Sequence, residues 1–330
     1  MNSTPSKTRR RIAAALAASP LATLPAVGRA QEWPAKPIRL LSPSAPGGST
    51  DTIARLLADR FARALKVAVV VENRPGGTGT VALDALARSA PDGYTLAVGF
   101  SGGNVIYPLL NPKLPFDAQK AFTPVTHLAT TGNVLVVHPS IPARTLAEFL
   151  AWAKAQPKPP GYGSWGNGSG GHLAGEYLKL LTGVDMLHVP YRSASALATD
   201  MVGGHVQVGF LDLANAMPQV RAGKLVGIAQ TGPTRSTAMA EVPTMVEQGV
   251  AFGVGIWFGL FAPAGLPRPI VDRLHAETRE ALLAPELAER WQAAMGTRPA
   301  PAGPDEFARM IRSDWDTWKS VIERGRITLE

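Results

Sequence analysis

No cysteine occurs among the 330 residues, which excludes a disulfide scaffold, a thiol nucleophile and any zinc or iron–sulfur site built on thiolate. Metal-ligand spacing is missing as well: His127, His138, His172, His188, His205 and His275 form neither an HExxH motif nor an i, i+4 pair, so no metal is expected. There is no Walker A sequence, because neither Gly-Gly turn leads into Gly-Lys-Ser/Thr. Charge of one sign is scarce outside the N-terminus. Residues 1–30 hold Lys7, Arg9, Arg10, Arg11 and Arg29 and no acid, so five of the 33 basic residues lie there and the remainder carries 28 against 25 acidic residues. That balance is no electrostatic footprint for a phosphate backbone, and no nucleic-acid partner is expected. What the chain does have is 45% hydrophobic residues, ample for packed cores, over a length at which two domains are the default.

The N-terminus accounts for the basic excess. Lys7 to Arg11 is a basic run, Ile12 to Val27 is Ala/Leu-rich and broken by Pro20 and Pro25, and Gly28-Arg29-Ala30 presents small residues for cleavage. This pattern reads as a secretory signal peptide over residues 1–30, with a mature chain starting near Gln31 and the general export route favoured over the twin-arginine one. The apolar stretch falls short of the ~20 residues of a spanning helix, and no later segment is long and apolar enough to span.

Along the mature chain, strand signals alternate with helical periodicity. Ile38–Ser42 reads as a strand, Pro43–Gly48 as a Gly-rich turn, and Ile53, Leu56, Leu57, Phe61 and Leu65 recur at helical spacing, with Ser49 or Thr50 as N-cap. The unit repeats: a strand over Val67–Glu72, a turn at Pro75–Gly79, a helix over Val81–Arg88 and a strand over Tyr94–Phe100. Further strands are expected over Phe122–Leu128, Asn133–His138, Val206–Leu211 and Leu225–Gln230. Helices are expected over Thr145–Ala155 (Thr145 and Glu148 spelling a capping box), His172–Leu181, Ile270–Leu283 and from Pro304 to Gly325. The alternation implies α/β architecture with parallel sheets covered on both faces.

Three local motifs bear on chemistry. Two Gly-rich turns, Ser44 to Asp51 and Ser164 to His172, each open a helix. A helix N-terminus exposes unpaired N–H groups and about half a positive charge, so two such ends facing one cleft make an anion clamp. Gly161 to Gly166 matches GxGxxG with Asp185 beyond it, yet the Pro157–Pro160 run leaves little room for the required strand, so neither NAD nor any other cofactor is expected. Gly99-Phe100-Ser101-Gly102-Gly103 fits GxSxG after a strand, which makes a serine hydrolase with Ser101 as nucleophile the alternative reading. Trp257 lies in an apolar run and reads as core or as a cleft wall.

Ordered pieces of the chain carry a family resemblance. They are Trp33-Pro34-Ala35-Lys36-Pro37-Ile38, Ala45-Pro46-Gly47-Gly48-Ser49-Thr50-Asp51, Glu72-Asn73-Arg74-Pro75-Gly76-Gly77, Pro91-Asp92-Gly93-Tyr94, Gly163-Ser164-Trp165-Gly166-Asn167-Gly168-Ser169-Gly170-Gly171-His172, His188-Val189-Pro190-Tyr191 and Ala262-Pro263-Ala264-Gly265-Leu266-Pro267. In this order they resemble the Bug-type extracytoplasmic solute receptors of tripartite tricarboxylate transporters. The resemblance implies a type 2 periplasmic-binding-protein fold of two α/β domains: residues 31–130 with 252–330, and residues 131–251 inserted between them, with the ligand cleft between the two. It implies a periplasmic, monomeric, non-enzymatic receptor that passes a small carboxylate to a membrane permease. Carried over by position, the carboxylate is held by Ser44, Ala45, Gly47, Gly48, Ser49, Thr50 and Asp51, and by Ser164, Gly166, Asn167, Gly168, Ser169 and His172. Ser101, Tyr191, Arg192 and Asp212 complete the candidate site, and Trp165, Trp257, Arg192 and Asp212 are candidates for ligand discrimination. Two positions depart from the family pattern: Arg192-Ser193 stands where Lys-Gly is usual, and Gln207 where an acid is common.

Overall fold

A computed structural model describes residues 33–329; the signal peptide expected over 1–30 lies outside them. Pro34 to the C-terminus forms one compact unit containing two five-stranded sheets. The first has the order β2-β1-β3-β10-β4 and the second β7-β6-β8-β5-β9. Their strands are β1 Ile38–Ser42, β2 Val69–Asn73, β3 Thr95–Phe100, β4 Phe122–Thr131, β5 Asn133–Val137, β6 Gly161–Ser164, β7 Leu187–Pro190, β8 Val208–Asp212, β9 Val226–Gln230 and β10 Ile256–Pro263. The helices are α1 Ser49–Leu65, α2 Thr80–Ala87, α3 Tyr107–Leu110, α4 Leu146–Lys154, α5 Gly170–Thr182, α6 Ala194–Val202, α7 Leu213–Arg221, α8 Arg268–Leu283, α9 Pro285–Met295 and α10 Pro304–Gly325. Among the described residues no helix is long and apolar enough to cross a membrane.

The sheets are mixed, which corrects the all-parallel expectation. β1 runs parallel to β2 and β3, and β6 parallel to β7 and β8, as repeated β-α units require. β10 runs antiparallel to β3 and β4, and β5 antiparallel to β8 and β9. The cause is the route between the sheets. β4 ends at Thr131 and β5 begins at Asn133, so Gly132 alone carries the chain across. The returning chain enters the first sheet beside that exit, with Ile256 paired to Thr131, and so runs back against β4.

Glycine makes this double crossing possible. A Cβ on Gly132 would lie 1.9 Å from the Thr231 carbonyl oxygen, and one on Gly255 2.8 Å from that of Thr131. The outgoing strand is stitched to the segment after β9 by Thr231 N–H to Asn133 O and Asn133 N–H to Thr231 Oγ1, both 2.8 Å.

Most helices start where the residues indicate. Thr145 and Glu148 cap α4 reciprocally, at 3.2 and 3.1 Å. Three expected starts move: α1 is capped by Gly48 rather than Ser49 or Thr50, α5 begins at Gly170 rather than His172, and α8 at Arg268 rather than Ile270. α10 lays Phe307 and Trp318 into the core with Ile311, Trp315 and Ile322 beside them. Trp257 is core only: its ring meets Phe307 edge-on at 5.2 Å, and its indole N–H donates to Asp314 Oδ2 at 2.7 Å. Burial pushes the Asp314 carboxyl up to about 6 against the pull of that hydrogen bond.

Candidate functional site

The C-terminal ends of strands from both sheets open on one cleft of about 380 Å³. The wall built on the first sheet begins at Ser42, where β1 ends and the chain turns through Pro43–Gly48 into α1. Thr50 Oγ1 donates to Ser44 Oγ at 2.8 Å, and Ser44 Oγ accepts the Asp51 N–H at 3.1 Å. Asp51 ties the turn from behind: its carboxylate accepts Gly47 N–H (2.8 Å), Asn73 Nδ2 (2.8 Å) and the Arg55 guanidinium (2.9 and 3.0 Å). Burial works to raise its pKa, but the bonds from Arg55, Gly47 and Asn73 and the Arg55 charge outweigh it and hold the carboxyl below its ordinary range. Ser44, Ser49 and Thr50 line the cleft.

Two neighbouring loops complete this wall. Gly76, Thr78 and Gly79 follow β2, and Phe100 ends β3 with Ser101 and Gly102 after it. After Ser101 the chain makes a π-helical turn, Gly102–Ile106, a form often found at functional sites. The Ser101 hydroxyl is buried, lines the cleft and has no hydrogen-bond partner. A buried polar group without a partner costs about 1–3 kcal/mol, so this hydroxyl calls for an acceptor or donor from a ligand.

The wall from the second sheet is built differently. Trp165 comes from the segment between β6 and α5, Gly170 is the first residue of α5, and Asp212, Leu213 and Ala214 come from the start of α7. Ser164 Oγ is hydrogen-bonded to His188 Nε2 at 2.7 Å and accepts Gly166 N–H at 3.2 Å. Ser169 Oγ caps α5 by accepting His172 N–H, and Gly168 N–H donates to His172 Nδ1 at 3.1 Å. Because a backbone N–H can only donate, Nδ1 is an acceptor and the His172 ring is neutral with its proton on Nε2. The rings of His172 and His188 stack at 3.8 Å and 7°. Both are pushed down to about 4, His172 by burial and then the Lys179 charge, His188 by burial, His172 and Lys179 against the opposing pull of Glu176.

Of the residues singled out from the sequence, Ser44, Ser49, Thr50, Ser101, Trp165 and Asp212 line the cleft together. Ala45, Gly47, Gly48 and Asp51 shape the turn behind them, and Ser164, Gly166, Ser169 and His172 shape the opposite one. Gly168 has φ +69° and faces Leu110 and Leu329, Asn167 is exposed, and Tyr191 donates its hydroxyl to Asp200 Oδ2 at 2.9 Å. Arg192 is exposed and outside the cleft lining. Asp212 is the N-cap of α7, accepting Asn215 N–H at 2.9 Å.

Sequence reasoning missed Thr78, Phe100, Thr131, Gly132, Ile256, Phe258 and Met295, all in the lining. Period-two alternation along β10 was the available signal for Ile256 and Phe258, which face the cleft while Trp257 faces α10. The enzyme-like motifs dissolve. Gly161 and Gly163 lie inside β6 rather than in a loop over a phosphate, and among the described residues no histidine lines the cleft.

Residues 53–327 match the tripartite tricarboxylate transporter family receptor, TctC. The chain belongs to this family. It is 34% identical to the protein BugT of Bordetella pertussis over 89% of this chain and 90% of that one. The structure of the periplasmic binding protein BugD superposes with a TM-score of 0.72 at 28% identity, covering 90% of this chain and 99% of that one. The adipate-bound R. palustris protein Rpa4515 superposes with a TM-score of 0.76 at 29% identity, again over 90% and 99%. A TctC chain is a solute receptor and not an enzyme, so the Ser101 hydrolase alternative falls.

Proposed function

We propose that the exported protein holds a small carboxylate in this cleft and presents it to the membrane permease of a tripartite transporter, acting in the periplasm as a monomer. The ligand carboxylate sits on the first-sheet wall, where the first turn of α1 meets Ser101. One observation carries this. Gly48 gives α1 no side-chain cap, which leaves the Ser49 and Thr50 N–H groups at its start, while the Ser101 hydroxyl in the same cleft lining is buried and unpartnered, so donors from both are available to one anion. Binding of adipate by a relative supports the ligand class.

Residues 31–130 with 252–330 form one domain in this reading, and 131–251 the other. Closure then turns on the adjacent crossings at Gly132 and Gly255, where Gly232 also passes within 4 Å. The test is thermal unfolding against mono-, di- and tricarboxylates and their uncharged amides. A ligand at 100 times its Kd adds about 2.7 kcal/mol, which raises the midpoint by roughly 2–4 °C per kcal/mol. A rise with a carboxylate and none with its amide is expected; no rise with any carboxylate, in protein freed of co-purified ligand, contradicts the reading.

A further inference from the structure

The two walls of the cleft are chemically unlike. Six hydroxyl-bearing residues of the first sheet and its loops line the cleft: Ser44, Ser49, Thr50, Thr78, Ser101 and Thr131. The second-sheet wall presents no hydroxyl; it offers Trp165, Leu213 and Ala214 around one carboxylate, that of Asp212. Ile256 and Phe258 bridge the walls with apolar surface.

Helices α1, α5 and α7 bring their first turns to the cleft, and in each the third N–H is taken by a side-chain oxygen: Ser44 at α1, Ser169 at α5 and Asp212, with its negative charge, at α7. Among the described residues no Lys, Arg or His lines the cleft. The buried, unpartnered Ser101 hydroxyl marks the first-sheet wall as the seat of an anion. A second carboxylate on a ligand reaching the other wall would be desolvated against apolar side chains and set near the like charge of Asp212. The carboxylate of Asp212 is held by Asn215 N–H and Nδ2 at 2.9–3.0 Å, and its remaining lone pairs suit a donor.

We infer that the ligand is a monocarboxylate on a compact apolar body, with any second polar group a hydrogen-bond donor rather than an acid. This rests on the carboxylate-receptor reading and narrows it. Adipate, bound by the R. palustris relative, is then a poor ligand here.

Isothermal titration with hexanoate, 6-aminohexanoate and adipate tests this on one carbon chain, since the three differ only at the far end. Adipate is expected to bind at least about ten-fold more weakly than the tighter of the other two. Asp212→Asn keeps an N-cap residue at α7, and its melting temperature verifies the fold. In that variant the adipate disadvantage is expected to shrink at least about three-fold as the like charge is removed. Adipate binding as tightly as the monocarboxylates, or an affinity ratio unchanged by Asp212→Asn, overturns the inference. If adipate binds best and Ser101→Ala weakens it, the carboxylate seat stands and only the monocarboxylate inference falls. If none of the three binds at millimolar concentration, the receptor reading falls with it.

Discussion

Gly48→Val is expected to weaken carboxylate binding by about two orders of magnitude, close to 2.7 kcal/mol, while the protein stays folded. The backbone at Gly48 is extended and open to any residue, with φ −74° and ψ 166°, so the effect comes from space alone. A Cβ there lies 2.7 Å from both Cβ and Oγ of Ser44. Ser44 is too short to swing aside cheaply, and its Oγ holds the Asp51 N–H and the Thr50 hydroxyl. Displacing it misplaces the first turn of α1, where the anion is seated. Overpacking of this kind costs about 1–3 kcal/mol of stability, a drop of several degrees that leaves a folded protein at room temperature. Gly253→Ala is the matched control, because nothing lies within 4 Å of its Cβ. Affinity within three-fold of the parent, measured by titration calorimetry, would remove the α1 turn from the site.

The second large effect is on stability against acid. His172 and His188 ionise near 6.5 when unfolded and are pushed down to about 4 in the fold. Between those values the unfolded chain takes up protons that the folded chain refuses, so stability is full above about pH 6.5 and falls as pH drops toward 4. Allowing for the partial exposure of His188 and the coupling within the stack, the pair contributes on the order of 3 kcal/mol. The melting temperature should fall by about 5–10 °C over that window. His127 and His275 are also lowered by burial and act in the same sense. Asp314 acts in the opposite one, since its raised value favours the fold as pH falls from about 6 toward 3.8. His188→Gln isolates the pair: it keeps a partner for Ser164 and removes one titrating ring. Its acid-induced loss of melting temperature should be smaller than that of the parent by a third or more. An identical loss in parent and variant would show that the stack does not govern the transition.

Much of this arrangement was legible in the residues, and the limits are physical. The turns at Pro43–Gly48 and Ser164–Ser169 announce themselves because glycines and hydroxyls precede periodic apolar runs, and the Thr145–Glu148 box is a contact between neighbours. Strand direction is not local. Nothing in the Ile256–Pro263 run says that it enters beside the β4 exit and must run antiparallel; that follows from a one-residue crossing whose tightness shows only against Thr231. The site divides the same way. Ser44, Ser49 and Thr50 belong to a recognisable turn, whereas Thr78 reaches the cleft because Gly103 lets its loop pack against the next, a Cβ there standing 2.8 Å from the Thr78 carbonyl oxygen. Asp51 shows the converse. It sits in the family motif beside the ligand turn, yet its carboxylate is spent on Gly47, Asn73 and Arg55. A motif marks residues that the site needs without saying which face it.

The most direct test of the central claim is a crystal structure with the tightest-binding carboxylate from the six-carbon series. The carboxylate oxygens are expected about 3 Å from the backbone nitrogens of Ser49 or Thr50 and from Ser101 Oγ, with the carbon chain against Trp165 and Phe258. A carboxylate seated instead on the Asp212 wall, or outside the cleft against Arg192, would contradict that claim.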